Sequence, residues 1–265
     1  MTQTLPPAAS LWLRTVDGVR LCAEHLPPGP QAAPGVAIVL AHGFTGAYDR
    51  PAVRAISARL AGRAGVIAFD FRGHGRSQGE STLGDAEVLD VDAAVAAARD
   101  LGYRKVATLG FSMGGACVLR HAALVGARTA HPVDAVATVG AVSRWYRTET
   151  GPMRRLHWAV QTRLGRQVAR WGLRTRVSPQ RWIDPPVPPD ELVDRIAPVP
   201  LLIVHGEQDA YLDLSNARDL YAAATEPKEL WVWPGFGHAE SAMTPAHTDL
   251  VAGWLCAATS EQVSQ

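Results

Sequence analysis

The chain has 265 residues, 47% of them hydrophobic and 19% charged, with a formal net charge of +1. That composition suits one globular domain, with or without an insertion, and excludes a disordered chain. So small a net charge gives no reason to expect nucleic acid as a partner, and no apolar run approaches the ~20 residues that span a bilayer.

The N-terminal stretch "MTQTLPPAASLWLRTVDGVRL" has no basic region followed by an apolar one, so no signal peptide is read and a cytoplasmic location is expected. "SLWLRTV" and "VRLCAEHL" are short strands joined through Asp17-Gly18, a hairpin signal. After the loop "PPGPQAAPG" comes "VAIVLAH", a continuous apolar run typical of a buried strand. The chain then alternates. "RPAVRAISARLAGRAG" reads as helix, "VIAFDF" as strand, "DAEVLDVDAAVAAARDLG" as helix, "KVATLGF" as strand, "MGGACVLRHAALVG" as helix and "VDAVATVGAV" as strand. Past a break come "VPLLIVHG" (strand), "SNARDLYAAAT" (helix), "ELWVWPG" (strand) and "AHTDLVAGWLCAAT" (helix). This rhythm predicts an α/β fold, a mostly parallel sheet with helices on both faces. Cys22, Cys117 and Cys256 are sparse, odd in number and without metal-ligand spacing, which fits a reducing compartment. Cys117, inside a predicted helix, reads as a small core residue.

The break runs from about Ser143 to Pro189 and ends in the stiff connector "DPPVPPD". It is read as a cap inserted into a core made of residues 1–142 and 190–265.

"GFSMGG", residues 110–115, places Ser112 between a buried strand and a small-residue helix start. That is the context of a nucleophile elbow, G-x-S-x-G, whose sharp turn tolerates only small residues two positions either side of the serine. A serine hydroxyl needs a base, and the base needs an acid to orient it. His238, in "PGFGHAE", follows the last strand and is the candidate base. Asp209, in "LLIVHGEQDAYL", follows the strand before it and is the candidate acid. Asp213 competes but reads as the start of the next helix, and Glu207 is a weaker competitor. His247 falls on the final helix and reads as a surface residue, and His42 reads as a structural hydrogen-bonder. The oxyanion hole would use the N–H groups of Met113, next after the serine, and of Phe44 in "HGFTG", whose ring would also line the acyl pocket.

"HGFTG", "DFRGHGRS", "GFSMGG", "HGEQD" and "GFGH" occur in the order and approximate spacing of the α/β-hydrolase fold superfamily. The chain resembles its serine esterase/lipase branch, including monoacylglycerol-lipase-like and serine-aminopeptidase-like members, from about residue 12 onward except in the insertion. The resemblance implies that "DFRGHGRS" is architectural, so His74 and Ser77 are not catalytic. Serine at position 112 argues against haloalkane dehalogenases and epoxide hydrolases, which carry aspartate there.

The insertion holds four of the eight tryptophans: Trp145, Trp158, Trp171 and Trp182. Between Ser143 and Ile183 it also holds ten arginines against one acid, Glu149, so that stretch carries +9 while the rest of the chain carries −8. Met153, Leu156, Val160, Leu164, Val168 and Trp171 are spaced for one helical face, with Arg163, Arg166, Arg170 and Arg174 beside it; Gly165 and Gly172 are the expected weak points. Three readings stand: a cap packed by its apolar face, a basic lid making peripheral membrane contact, or an arginine cluster that recognises an anionic group on the substrate. Phe44, Trp145 and Trp158 are the candidate substrate-binding residues. The expectation is a carboxylic ester hydrolase acting through an acyl-enzyme on a small, lipid-like ester, with no metal and no organic cofactor. A thioesterase, an amidase or peptidase, or a non-catalytic ligand-binding protein of the same fold are the alternatives.

Overall fold

A computed structural model describes residues 8–145, 150–180, 182 and 184–260; Arg147, Glu149 and Arg181 of the inserted segment lie outside the described residues. The chain opens on a hairpin of β1 (Ala9–Arg14) and β2 (Arg20–Leu26), closed by Gly18 at φ 88°. The following elements are β3 (Val36–Ala41), α1 (Pro51–Leu60), β4 (Gly65–Phe69), α2 (Glu87–Asp100), β5 (Lys105–Phe111), α3 (Met113–Ala123) and β6 (Ala135–Val139). After the inserted segment come β7 (Leu201–Gly206), α6 (Ser215–Ala223), β8 (Lys228–Trp233), α7 (Ala239–Ala242) and α8 (Pro245–Ser260). This is the alternation that the sequence predicts.

The eight strands form one sheet in the order β1-β2-β4-β3-β5-β6-β7-β8. β1 and β2 pair antiparallel, as do β2 and β4, and every later pairing is parallel. Helices cover both faces, so β3, β4 and β6 are buried along their whole length and their sequences are continuously apolar. On one face Val53, Ile56 and Leu60 of α1 meet Val251 and Leu255 of α8. On the other, Val91 and Val95 of α2 pack with Cys117 and Val118 of α3 and Leu220 of α6. β4 and β5 lie on opposite sides of β3, which makes a switch point of the kind where parallel sheets bind ligands at the strands' carboxyl ends.

The inserted segment contains α4 (Gly151–Gln161) and α5 (Arg163–Gly172). The break between them falls at Thr162, not at Gly165 or Gly172 as the sequence suggests; Gly165 lies inside α5. Thr162 has an extended backbone, its hydroxyl accepts the Gly165 N–H at 2.9 Å and it donates to Trp158 O at 2.9 Å. It thus ends one helix and caps the next. The break divides the expected apolar stripe. Met153, Leu156 and Val160 line a cavity, whereas Leu164, Val168 and Trp171 are 66%, 51% and 78% exposed.

The "DFRGHGRS" loop holds the segment down. Arg176 N donates to Gly73 O and Ser81 N to Arg176 O, both at 2.7 Å, and Ser178 N donates to Ser81 O at 2.9 Å. Gly73, at φ 73°, has no room for a side chain against Arg176 and Ser81. Arg144 pairs with Asp190, and Arg174 pairs with Asp49 at 3.3 Å. Among the described residues no helix is long and apolar enough to cross a membrane.

Candidate active site

Ser112 sits between β5 and α3 with φ 50° and ψ −114°, a conformation that costs an ordinary residue about 1–3 kcal/mol. The flanking glycines make it attainable. A Cβ on Gly110 would strike the backbone of Gly114, and one on Gly114 would strike the carbonyls of Ala41 and His42. The elbow is thus wedged between the ends of β3 and β5 and the first turn of α3.

The Ser112 hydroxyl lies 3.0 Å from His238 Nε2, and His238 Nδ1 lies 2.6 Å from Asp209 Oδ2. A carboxylate can only accept, so Nδ1 carries the proton and the Nε2 lone pair faces the serine. Asp209 Oδ1 accepts two further N–H bonds, from Tyr211 at 2.8 Å and Leu212 at 2.9 Å, and its side chain is buried. Asp213 instead accepts the Ser215 N–H at the start of α6, and Glu207 is exposed. The acid that touches His238 is therefore Asp209.

The other histidines have other duties. Buried His42 accepts the Phe71 N–H at Nε2 and bonds Gly43 O through Nδ1 at 2.7 Å. Burial pulls His74 down to about 3, so its ring is neutral. Ser77 latches the hairpin, donating to Asp70 O at 2.6 Å and accepting Cys22 N–H at 2.8 Å. His247 is not a bare surface residue: its ring stacks on Trp233 at 4.4 Å and meets Phe236 edge-on at 4.9 Å. Cys117 is fully buried, and burial raises its thiol well above the usual range.

Ser112 and His238 open onto a cavity of about 790 Å³. Phe44 and Met113 border it beside the serine. Met113 is the first residue of α3, where N–H groups lack intrahelical partners. Leu83, Val142, Met153, Leu156, Val160 and Leu173 give much of the wall an apolar character. Trp145 lines it, tilted against Trp182 at 5.3 Å and donating its indole N–H to Pro186 O at 2.6 Å. Trp158 does not line it. It stands on the outer side of α4 and is 48% exposed, because residue 158 points well away from the face shared by 153, 156 and 160.

Three neighbours escape the sequence reading. The Tyr211 ring stacks on His238 at 4.7 Å. Glu240 accepts the Gly43 N–H at 3.1 Å, tying the loop that carries Phe44 to the segment that carries His238. Gly140, at φ 60°, leaves no slack for a side chain, since a Cβ would lie 3.3 Å from Asp209 and 3.4 Å from His238. Glu240 has one sequence cue, standing two residues after the candidate base. Among the described residues no group of three or more His, Cys, Asp or Glu side chains could hold a metal ion.

The family model described as the alpha/beta hydrolase fold matches residues 36–162. The chain has the α/β-hydrolase fold. The chain is 27% identical over 253 residues to Rv2307c of Mycobacterium tuberculosis, an uncharacterized protein, covering 89% of this chain and 74% of that one. It is similar to the Pyrococcus furiosus esterase Pf2001, with TM-score 0.70, 18% identity and coverage of 96% of this chain and 92% of that one. The esterase domain of a Rhodothermus marinus protein superimposes with TM-score 0.63 at 24% identity, covering 95% of this chain and 97% of that domain.

Proposed function

We propose that this protein is a serine hydrolase that cleaves a carboxylic ester through an acyl-enzyme intermediate. The observation that carries the reading is the unbroken line from Ser112 Oγ through His238 to Asp209, at 3.0 and 2.6 Å, opening on a largely apolar cavity. His238 takes the Ser112 proton as the oxygen attacks the acyl carbon, and Asp209 stabilises the imidazolium that forms. The N–H groups of Phe44 and Met113 hold the oxyanion, helped by the positive end of α3. His238 then returns its proton to the leaving alkoxide. Water enters, is activated by the same base and frees the acid. The acyl chain lies against Phe44, Trp145 and the cavity face of α4, which supports a lipid-like substrate. The esterases among the similar structures favour an ester over a thioester or amide.

The test is turnover of p-nitrophenyl esters from acetyl to dodecanoyl, with Ser112→Ala as control. Turnover should favour acyl chains long enough to fill the cavity and should fall about 10⁴-fold or more in the variant. Activity that survives Ser112→Ala would sink the assignment. Failure to cleave any ester would shift it toward the thioester, amide or ligand-binding readings.

A further inference from the structure

Arg163, Arg166 and Arg170 stand at i, i+3 and i+7 of α5 and share one flank of that helix. Arg176 joins them from the segment bonded to the 73–81 loop. Together they line a recess of about 280 Å³ in which Glu80 is the one acid among the described residues, a formal excess of three positive charges. Arg166, Val177 and Pro179 also line the Ser112 cavity, so recess and cavity share a wall. Two of the guanidiniums are held by neutral carbonyls. Arg166 donates to Val160 O at 3.1 Å and Gln161 O at 3.2 Å; Arg176 donates to Gly79 O at 3.1 Å and to Ser77 O. Among the described residues none of the four makes an ion pair with a carboxylate, whereas Arg144 and Arg174 do.

Four cations facing one hollow repel one another, and α5 does not relieve this by turning them apart. It buries only Gly165 and Ala169 and keeps its arginines together beside the flank of Leu164, Val168 and Trp171, with the Arg170 guanidinium 5.4 Å from the Trp171 ring. A single carboxylate ligand would offset one charge of the excess. A phosphate offers about two charges and several acceptor oxygens in a geometry that guanidinium forks match. We propose that the recess binds a phosphate group on the leaving-group side of the substrate, whose acyl chain fills the adjoining apolar cavity. The inference rests on the esterase reading of Ser112.

Two matched pairs of short-chain, monomeric substrates test it: hexanoylglycerol 3-phosphate against hexanoylglycerol, and hexanoyl-coenzyme A against hexanoyl-N-acetylcysteamine. In at least one pair the phosphate-bearing member should have the higher kcat/KM by about tenfold or more, through KM, and the pair that shows it tells whether the phosphate sits on a glycerol or a nucleotide. The ratio should shrink as salt rises from about 50 to about 500 mM. It should collapse toward one in the double variant Arg163→Glu/Arg170→Glu, whose changed side chains are solvent-exposed. Equal kcat/KM in both pairs, or a preference that survives the double variant, overturns the proposal. Phosphatidylserine-vesicle binding that the double variant abolishes, with both pairs cleaved equally, also overturns it and assigns the arginines to a membrane surface. Turnover of neutral p-nitrophenyl hexanoate reports separately on the esterase reading. If that fails, calorimetry with inorganic pyrophosphate still decides the recess: binding lost in the double variant supports an anion site, and no binding by the native protein refutes it.

Discussion

At Ser112 a costly backbone conformation and a reactive geometry coincide. The φ of 50° aims Oγ at His238, and the tight fit of Gly110 and Gly114 leaves the turn no cheaper arrangement. Asp209 is held as firmly, with one carboxylate oxygen fixed by two backbone N–H groups and the other left for His238. Asp209→Asn would keep the shape but allow the wrong imidazole tautomer, so kcat should fall by about 10³- to 10⁴-fold. Asp213→Asn, at the start of α6, should stay within about threefold of the native kcat, since Asp213 bonds the helix end rather than His238. Steady-state kinetics of the two variants side by side decides the assignment. The sequence points to this pair because both residues follow strands that end at one sheet edge, which chain order alone conveys. It cannot point to Tyr211 or Gly140, whose roles come from where β6 and the loop after β7 meet in space.

The strands and the helices packed on them are legible in the sequence because each solves a local problem. A strand buried on both faces must be apolar throughout, and Asp17-Gly18 closes a hairpin wherever it stands between two strands. The inserted segment is less legible because its pattern serves two surroundings. A regular apolar spacing from Met153 to Trp171 predicts one continuous face, but Thr162 breaks the axis with a single hydroxyl. Only α4 then turns its apolar residues to the cavity. The tryptophans divide likewise: Trp145 is anchored in the cavity wall by Pro186 and Trp182, and Trp158 faces outward. Trp145→Ala should raise KM for a medium-chain ester by about tenfold through lost apolar contact, whereas Trp158→Ala should stay within about twofold. The same p-nitrophenyl series measures both.

Across the whole molecule, buried ionisable groups set the pH range of the fold. His74 and His42 are buried and neutral, with His74 pulled down to about 3 and His42 also lowered, each chiefly by burial. In the unfolded chain both protonate below about 6.5, so unfolding takes up protons and stability falls as pH drops from there toward 3. Asp70 works in the opposite sense. Burial pushes its carboxyl up to about 7, against the Arg76 N–H that favours the charged form, so its contribution weakens as pH rises from about 4 to about 7. His74→Gln removes one of the first kind. Urea unfolding between about pH 6.5 and 4.5 should then lose stability less steeply than the native chain, by up to about 1.4 kcal/mol per pH unit. An unchanged slope would show that His74 protonates within the folded protein.

The central claim is that Ser112 is an activated nucleophile, and a fluorophosphonate probe tests it without knowledge of the substrate. Mass spectrometry after labelling should find one adduct per chain, on the peptide that carries Ser112. It should be absent in Ser112→Ala and form far more slowly in His238→Ala. A native protein that takes no label, or takes it elsewhere, would contradict the account and leave the cavity as a binding site without chemistry.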